Sequence, residues 1–325
     1  MEIKLGKSVE EISRIGLGCW PIGGNFFYEG IPDGYGIIDD KESVRAIHGA
    51  IDAGINFFDT ADVYGAGHSE IVLGKAVREK CSRNKVIIAT KFGNIFNSET
   101  KDAQTAIISP GYIRRALTAS LKRLNTDYID IYQIHLWKLP HETAEMAFDT
   151  LDLLAKEGLI RSYGWSTDVP ECAAMMDGRE HAAVIQHQCN VLQYSDDLIH
   201  FIESRNLIGL NRSPLGMGIL SGKYSGVPVK FDANDVRFQN FEWNIYFKNG
   251  KPNELFLNRI SDLREILTSN GRTLAQGSLA WLLAKSPSNV PLPGFRNLKQ
   301  VLENAKVLET GGLTDDEMNQ IGRLI

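Results

Sequence analysis

Eight short apolar segments, each followed by a stretch of helical periodicity, constrain this chain more than any other feature of its sequence. The segments cover residues 15–20, 55–58, 86–90, 128–134, 162–165, 184–188, 207–210 and 290–292. Helical spacing of apolar side chains follows in 43–53, 69–79, 109–124, 142–156, 195–204, 253–269, 273–285 and 297–307, and shorter helices open at Pro170 and Asp315. Strands that alternate with helices need crossover connections, and crossovers make a parallel sheet. Eight repeats in 325 residues predict a closed (β/α)8 TIM barrel spanning 1–325 as a single domain. A doubly wound sheet would need a Gly-x-Gly-x-x-Gly turn opening a helix. The nearest string, Gly16-Leu17-Gly18-Cys19-Trp20-Pro21, has neither the third glycine nor the helix. Around the barrel we expect a short N-terminal β-hairpin (2–5 with 9–12) and extended loops after strands one, four and seven.

Composition narrows the classes of function. A net charge of -5 with no basic run argues against nucleic acid as a partner. The four cysteines have no C-x-x-C spacing, so free thiols in a reducing compartment are expected rather than a disulfide framework or a zinc site. No apolar run reaches the length of a membrane span and the first residues lack a signal-peptide core, which makes a cytoplasmic protein the expectation.

In a barrel of this kind the active site lies at the C-terminal ends of the strands. Reading those ends gives Asp59 and Tyr64 after strand two, Lys91 after strand three and His135 after strand four. Each alone has an ordinary explanation: a solvated lysine, an ion pair, a surface tyrosine, a core histidine. All four on one rim suit proton donation to a carbonyl oxygen. A free phenol titrates near ~10, so a useful general acid is expected to come down by roughly 2–3 units. An ammonium about 4 Å away contributes on the order of 4 kcal/mol at an effective dielectric near 20, so Lys91 is expected to lower Tyr64 by that much. Asp59 would hold Lys91, and His135 would orient the carbonyl or relay the proton. His68 and His135 have no carboxylate partners at ligand spacing, so no metal is expected.

The string Asp-Thr-Ala-Asp-Val-Tyr-Gly at 59–65, Ser-Glu at 69–70 with Gly74, Ala-Thr-Lys at 89–91 and Asp-Tyr-Ile-Asp-Ile-Tyr-Gln-Ile-His at 127–135 resembles the aldo-keto reductase family. The resemblance runs through nearly the whole chain. It implies a (β/α)8 barrel that reduces carbonyls with NADPH, and a catalytic tetrad of Asp59, Tyr64, Lys91 and His135. For the nicotinamide carboxamide it implies Ser166 and Gln186, with Thr167 in place of the family's asparagine. The stretch from Ser213 to Lys223, including Leu215 and Gly218, resembles the loop around the pyrophosphate, whose backbone amides form an anion nest. Arg212 stands where many members carry an aromatic that stacks on the nicotinamide; a guanidinium can stack too, or form an ion pair at the rim. The string after Pro293, comprising Gly294, Arg296, Gln300, Glu303 and Asn304, resembles the adenosine-phosphate segment. Arg296 is placed to pair with a 2′-phosphate, while Gln300 replaces a residue that is often basic in the family.

The expected partner is a small-molecule carbonyl substrate. Its walls are expected from the loops after strand one (Trp20, Phe26, Phe27, Tyr28, Tyr35), after strand four (Trp137) and around 224–250, with Phe92 and Trp165 contributing. The same residues are compatible with two other readings. One is an NADP-dependent alcohol, polyol or sugar dehydrogenase working in the oxidative direction, with Tyr64 as base. The other is a non-catalytic NADPH-binding regulatory subunit.

Overall fold

The eight apolar segments form one parallel sheet that closes on itself. In the computed structural model, which describes residues 2–4, 11–224 and 230–325, the barrel strands one to eight are Leu17–Gly18, Phe57–Asp59, Ile87–Phe92, Ile129–Ile134, Ile160–Ser166, Ala182–Gln188, Ile208–Arg212 and Asn289–Pro291. Every strand pairs with its neighbour in sequence. The seam between strands eight and one is made by Gly16 N–H to Pro291 O at 2.9 Å and Gly18 N–H to Pro293 O at 3.1 Å. A Cβ on Gly18 would stand 2.9 Å from the Leu292 carbonyl, so only glycine lets the two ends approach this closely.

Side chains alternate across the strands, and this alternation sorts the core into two layers. Phe57, Ile87, Ala89, Ile131, Val184 and Val290 point inward and pack as one apolar cluster within the barrel, which Ile12 joins from the N-terminal hairpin. Phe58, Ile88, Phe92, Tyr132, Ile134 and Trp165 point outward into the layer between the sheet and the helices. Helix starts follow the capping residues: Asp39 accepts from Lys41 and Glu42 N–H ahead of Asp40–Asp52, and Ser109 from Tyr112 N–H ahead of Pro110–Leu124.

Two connections differ from expectation. The loop after strand four runs only from residue 135 to 140 and is not extended. The extended connection follows strand three instead, where Asn94–Phe96 and Asp102–Thr105 form a hairpin. That hairpin joins Phe27–Tyr28 and Ile31–Pro32, from the long loop after strand one, in a four-stranded side sheet beside the mouth of the barrel. The loop after strand seven carries the 3-10 turn Gly216–Ser221 and a small antiparallel pair, Phe247–Lys248 with Lys251–Pro252. The N-terminal hairpin pairs Glu2–Lys4 with Glu11–Ser13; the expected turn and the beginning of its second arm lie outside the described residues. Among the described residues no helix is long and apolar enough to cross a membrane.

Candidate active site

The inward parity that fills the barrel bottom with Phe57, Ile87 and Ile131 places Asp59, Lys91 and Gln133 inward at the top. The register sets Lys91 beside Gln133 and Asp59 beside Ala89. Lys91 is fully buried. Its Nζ donates to Asp59 Oδ2 at 2.8 Å, Thr60 O at 2.7 Å and Tyr64 Oη at 3.3 Å. The other Asp59 oxygen accepts from Gln186 Nε2 at 2.7 Å and Gln133 Nε2 at 3.3 Å.

The residues around Tyr64 explain why the motif reads as it does. Gly65 follows it with φ 64°, and a Cβ there would stand 2.0 Å from the Gly23 carbonyl, so the Tyr64 turn is pressed backbone to backbone against the turn Pro21–Gly23. Ser69 Oγ ties the next helix to Cys19 O at 2.8 Å and to Thr60 Oγ1 at 2.8 Å. Glu70 stands in the first turn of the helix His68–Lys80. It is buried, accepts from Thr90 Oγ1 at 2.6 Å and from Arg123 Nε at 2.6 Å, and so braces the residue next to Lys91.

His135 meets the Tyr64 ring at right angles with centroids 5.8 Å apart, and Trp20 stacks on Tyr64 at 5.9 Å. Burial pushes the His135 imidazole well below its ordinary pKa, and the charges of Lys91 and Arg212 push it the same way. Lys91 is pulled down by burial, but Asp59 and Tyr64 outweigh this and hold it above the usual lysine value. The expected lowering of Tyr64 is not found. Burial raises the phenol, Lys91 lowers it, Asp59 raises it again, and the net direction is upward from 10.0.

These groups lie at the floor of a cavity of about 1090 Å³ that runs from the side sheet to the helix Leu298–Ala305. Of the anticipated residues, Trp20, Trp137, Ser166, Gln186, Arg212 and Ser213 line its reaction end. Leu215, Gly218, Lys223, Gly294 and Arg296 line the far end, with Gln300, Glu303 and Asn304. Five do not line the cavity: Phe26, Phe27, Phe92, Trp165 and Thr167. Phe92 follows the inward Lys91 and therefore points outward, onto Tyr132 at 4.7 Å and Tyr112 at 6.4 Å. Thr167 follows the inward Ser166 and turns away likewise, its hydroxyl donating to Trp137 O at 2.8 Å. Trp165 shares that outward parity, and Phe26 is buried in a separate cluster with Ala61 and Val63. Arg212 forms an ion pair with Asp168 and lies over the Trp137 ring at 5.5 Å. Gln186 spends its amide N–H on Asp59, while its oxygen accepts from Ser166 Oγ at 3.4 Å.

Sequence reasoning missed Asp33, Gln133, Asp168 and Trp243. Gln133 could have been found by alternation, two residues before His135, and Asp168 as the acid ending strand five. Among the described residues there is no cluster of three or more His, Cys, Asp or Glu that could hold a metal ion.

A closed parallel barrel with a tyrosine, a buried Lys–Asp pair and a histidine at its strand ends, at the floor of a long cleft, has the architecture of a barrel oxidoreductase. The chain belongs to the aldo/keto reductase family, whose family model matches residues 14–325. It is 30% identical over 325 aligned residues to the NADP(+)-designated aldo-keto reductase yakc of Schizosaccharomyces pombe, covering 96% of this chain and 88% of that one. Among solved structures it is similar to the glycerol dehydrogenase AKR11B4 of Gluconobacter oxydans, with a TM-score of 0.82, 29% identity and coverage of 99% and 94%. The aldo-keto reductase AKR11C1 of Bacillus halodurans in its holo form gives a TM-score of 0.78 at 26% identity, covering 99% and 95%.

Proposed function

We propose that this protein is an NADP(H)-dependent reductase of small aldehydes or ketones in which Tyr64 is the proton donor. The observation that carries this reading is the 3.3 Å contact of the Lys91 ammonium with the Tyr64 hydroxyl on the cavity floor. Tyr64 gives its proton to the carbonyl oxygen, and Lys91 stabilises the phenolate left behind. Lys91 is held in place by Asp59 and the Thr60 carbonyl. His135, neutral because of its burial and its cationic neighbours, offers one ring N–H to orient the carbonyl. NADPH, when bound in the cleft, supplies the hydride.

The far end of the cavity fits a phosphate-bearing cofactor. Lys223, Arg296 and Lys299 line it. Lys223 is lowered first by burial and then by the fields of Arg237 and Arg296, against the opposing fields of Asp235 and Glu303. Met217, Gly218 and Gly222 adopt left-handed backbone angles, the geometry of an anion-binding nest. The relative designated for NADP(+) supports the choice of cofactor.

Likeness to a glycerol dehydrogenase supports a second reading, oxidation of a polyol with Tyr64 as base. The raised phenol favours reduction, because the protonated form is the one that burial stabilises. Carbonyl-dependent loss of NADPH absorbance, set against NADP⁺ reduction by the matching alcohols, separates the two directions. Tyr64→Phe should keep cofactor binding and lose roughly 10²–10⁴-fold in turnover. Turnover near wild type in that variant removes Tyr64 as the donor.

A further inference from the structure

The acids at the reaction end of the cavity each have a cation of their own, with one exception. Asp59 is paired with Lys91 and Asp168 with Arg212, and the lining Arg237 is itself paired with Asp235 behind the wall. Asp33 also lines the cavity, but its Oδ1 is shielded from solvent and has no hydrogen-bond partner among the described residues. Its backbone is held from several sides. Asp33 N–H donates to Phe26 O at 2.9 Å, and Asp33 O accepts from Trp20 Nε1 at 3.0 Å. The next residue, Gly34, accepts from Val236 N–H at 2.7 Å. A Cβ on Gly34 would stand 2.1 Å from the Gly24 carbonyl, so the chain is packed too tightly there to carry a side chain. The backbone that carries this carboxyl is thus held in the wall one ring away from Tyr64, since Trp20 holds the Asp33 carbonyl and stacks on Tyr64.

We propose that Asp33 is a specificity-determining residue, its carboxyl hydrogen-bonding a hydroxyl group carried on the carbon chain of the carbonyl substrate. The proposal rests on the reductase reading of the site. Three classes of partner could satisfy the free oxygen, and the surroundings select among them. An anionic group finds no cation there, because the nearby ones are committed to Asp168, Asp235 and Asp59. A cationic group would need the carboxylate form, which burial disfavours at Asp33. A neutral hydroxyl both donates and accepts. Burial pushes the Asp33 carboxyl up to about 8, so near neutrality it offers the complementary donor and acceptor. The side sheet adds the polar groups of Tyr28, Asn94 and Thr105 to the same cavity.

The test compares glyceraldehyde with propanal, which has the same carbon chain without hydroxyls, in wild type, Asp33→Leu and Asp33→Asn. Hydration of the aldehydes cancels, because the same pair is compared across proteins. The ratio of kcat/KM for glyceraldehyde over propanal should fall roughly 10- to 100-fold in Asp33→Leu, mostly through KM. Asp33→Asn, nearly isosteric and still able to hydrogen-bond, should fall between and melt close to wild type. A ratio unchanged in both variants, or equal losses on both aldehydes, overturns the assignment to Asp33 while leaving the reductase reading intact. Failure of the wild type to reduce either aldehyde overturns both.

Discussion

Replacing Lys91 with methionine tests the centre of the site, because it separates what the ion pair does for stability from what it does for chemistry. Lys91 Nζ lies 2.8 Å from Asp59 Oδ2, and neither side chain is open to solvent. At an effective dielectric near 20 their gross attraction is about 6 kcal/mol, most of it offset by the desolvation of both groups. Removing one partner leaves the other buried without a counter-charge, which costs about 3–5 kcal/mol. At ~2.1 cal/mol/K per residue, a chain of 325 residues has an unfolding entropy of about 0.7 kcal/mol/K, so Tm should fall by about 4–7 °C. Turnover should fall by roughly 10²–10⁴-fold, since the phenolate loses its stabilising cation. In the double variant Asp59→Asn with Lys91→Met no buried charge is stranded, and at least half of the Tm loss should return while turnover stays low. Thermal melts followed by circular dichroism and carbonyl-dependent NADPH oxidation measure the two quantities. If turnover returned together with Tm in the double variant, Lys91 would be merely the counter-ion of Asp59, and its role toward Tyr64 would be refuted.

Two further predictions concern protons. With propanal as substrate, kcat/KM should show no Tyr64 ionisation below about pH 10, because burial raises that phenol. A modest decline near pH 8 is expected as Asp33 gains its charge, because that charge pushes Tyr64 higher still; the decline should vanish in Asp33→Asn. An inflection near 8 that persists in that variant would contradict both assignments. At the C-terminus, burial raises the Glu317 carboxyl, but hydrogen bonds from Ser269, the Thr314 N–H, Arg272 and the Thr314 hydroxyl outweigh it and hold it at about 2. A depressed carboxylate contributes stability that is complete above the unfolded value of 4.5 and is lost as pH falls through 2, here roughly 3 kcal/mol. Urea unfolding of Glu317→Gln should therefore differ from wild type at pH 7 and converge with it at pH 2. A difference that stays constant would place the stabilisation elsewhere.

The barrel was legible because its signal is periodic and local. Strand ends such as Asp59 and His135 follow from where an apolar run stops, and the order of the sheet follows from the order of the chain. Alternation also determines that Phe92 and Thr167 point away from the cleft once Lys91 and Ser166 point into it, so these two errors were avoidable. The side sheet was not legible. Its strands are two to four residues long and come from segments around 27–32 and 94–105, too short for any hydrophobic period to register. Asp33 acquires its place only through that sheet and through the approach of residues 235–236 from the loop after strand seven.

The sign of the Tyr64 shift was illegible for a different reason. Sequence reasoning could pair a phenol with an ammonium and count the attraction, which at 3.3 Å and a dielectric near 20 is about 5 kcal/mol. It could not count the two opposing effects, because both depend on depth in the barrel. Asp59 sits against the same ammonium and cancels much of its field at the phenol, and burial opposes the phenolate directly. The site therefore keeps a protonated tyrosine beside an ion pair. On the mechanism proposed above, the help that Lys91 gives is realised only as the proton leaves Tyr64. A contact that strengthens as charge develops lowers the barrier rather than the energy of the resting enzyme. That is why the loss in Lys91→Met should fall on kcat.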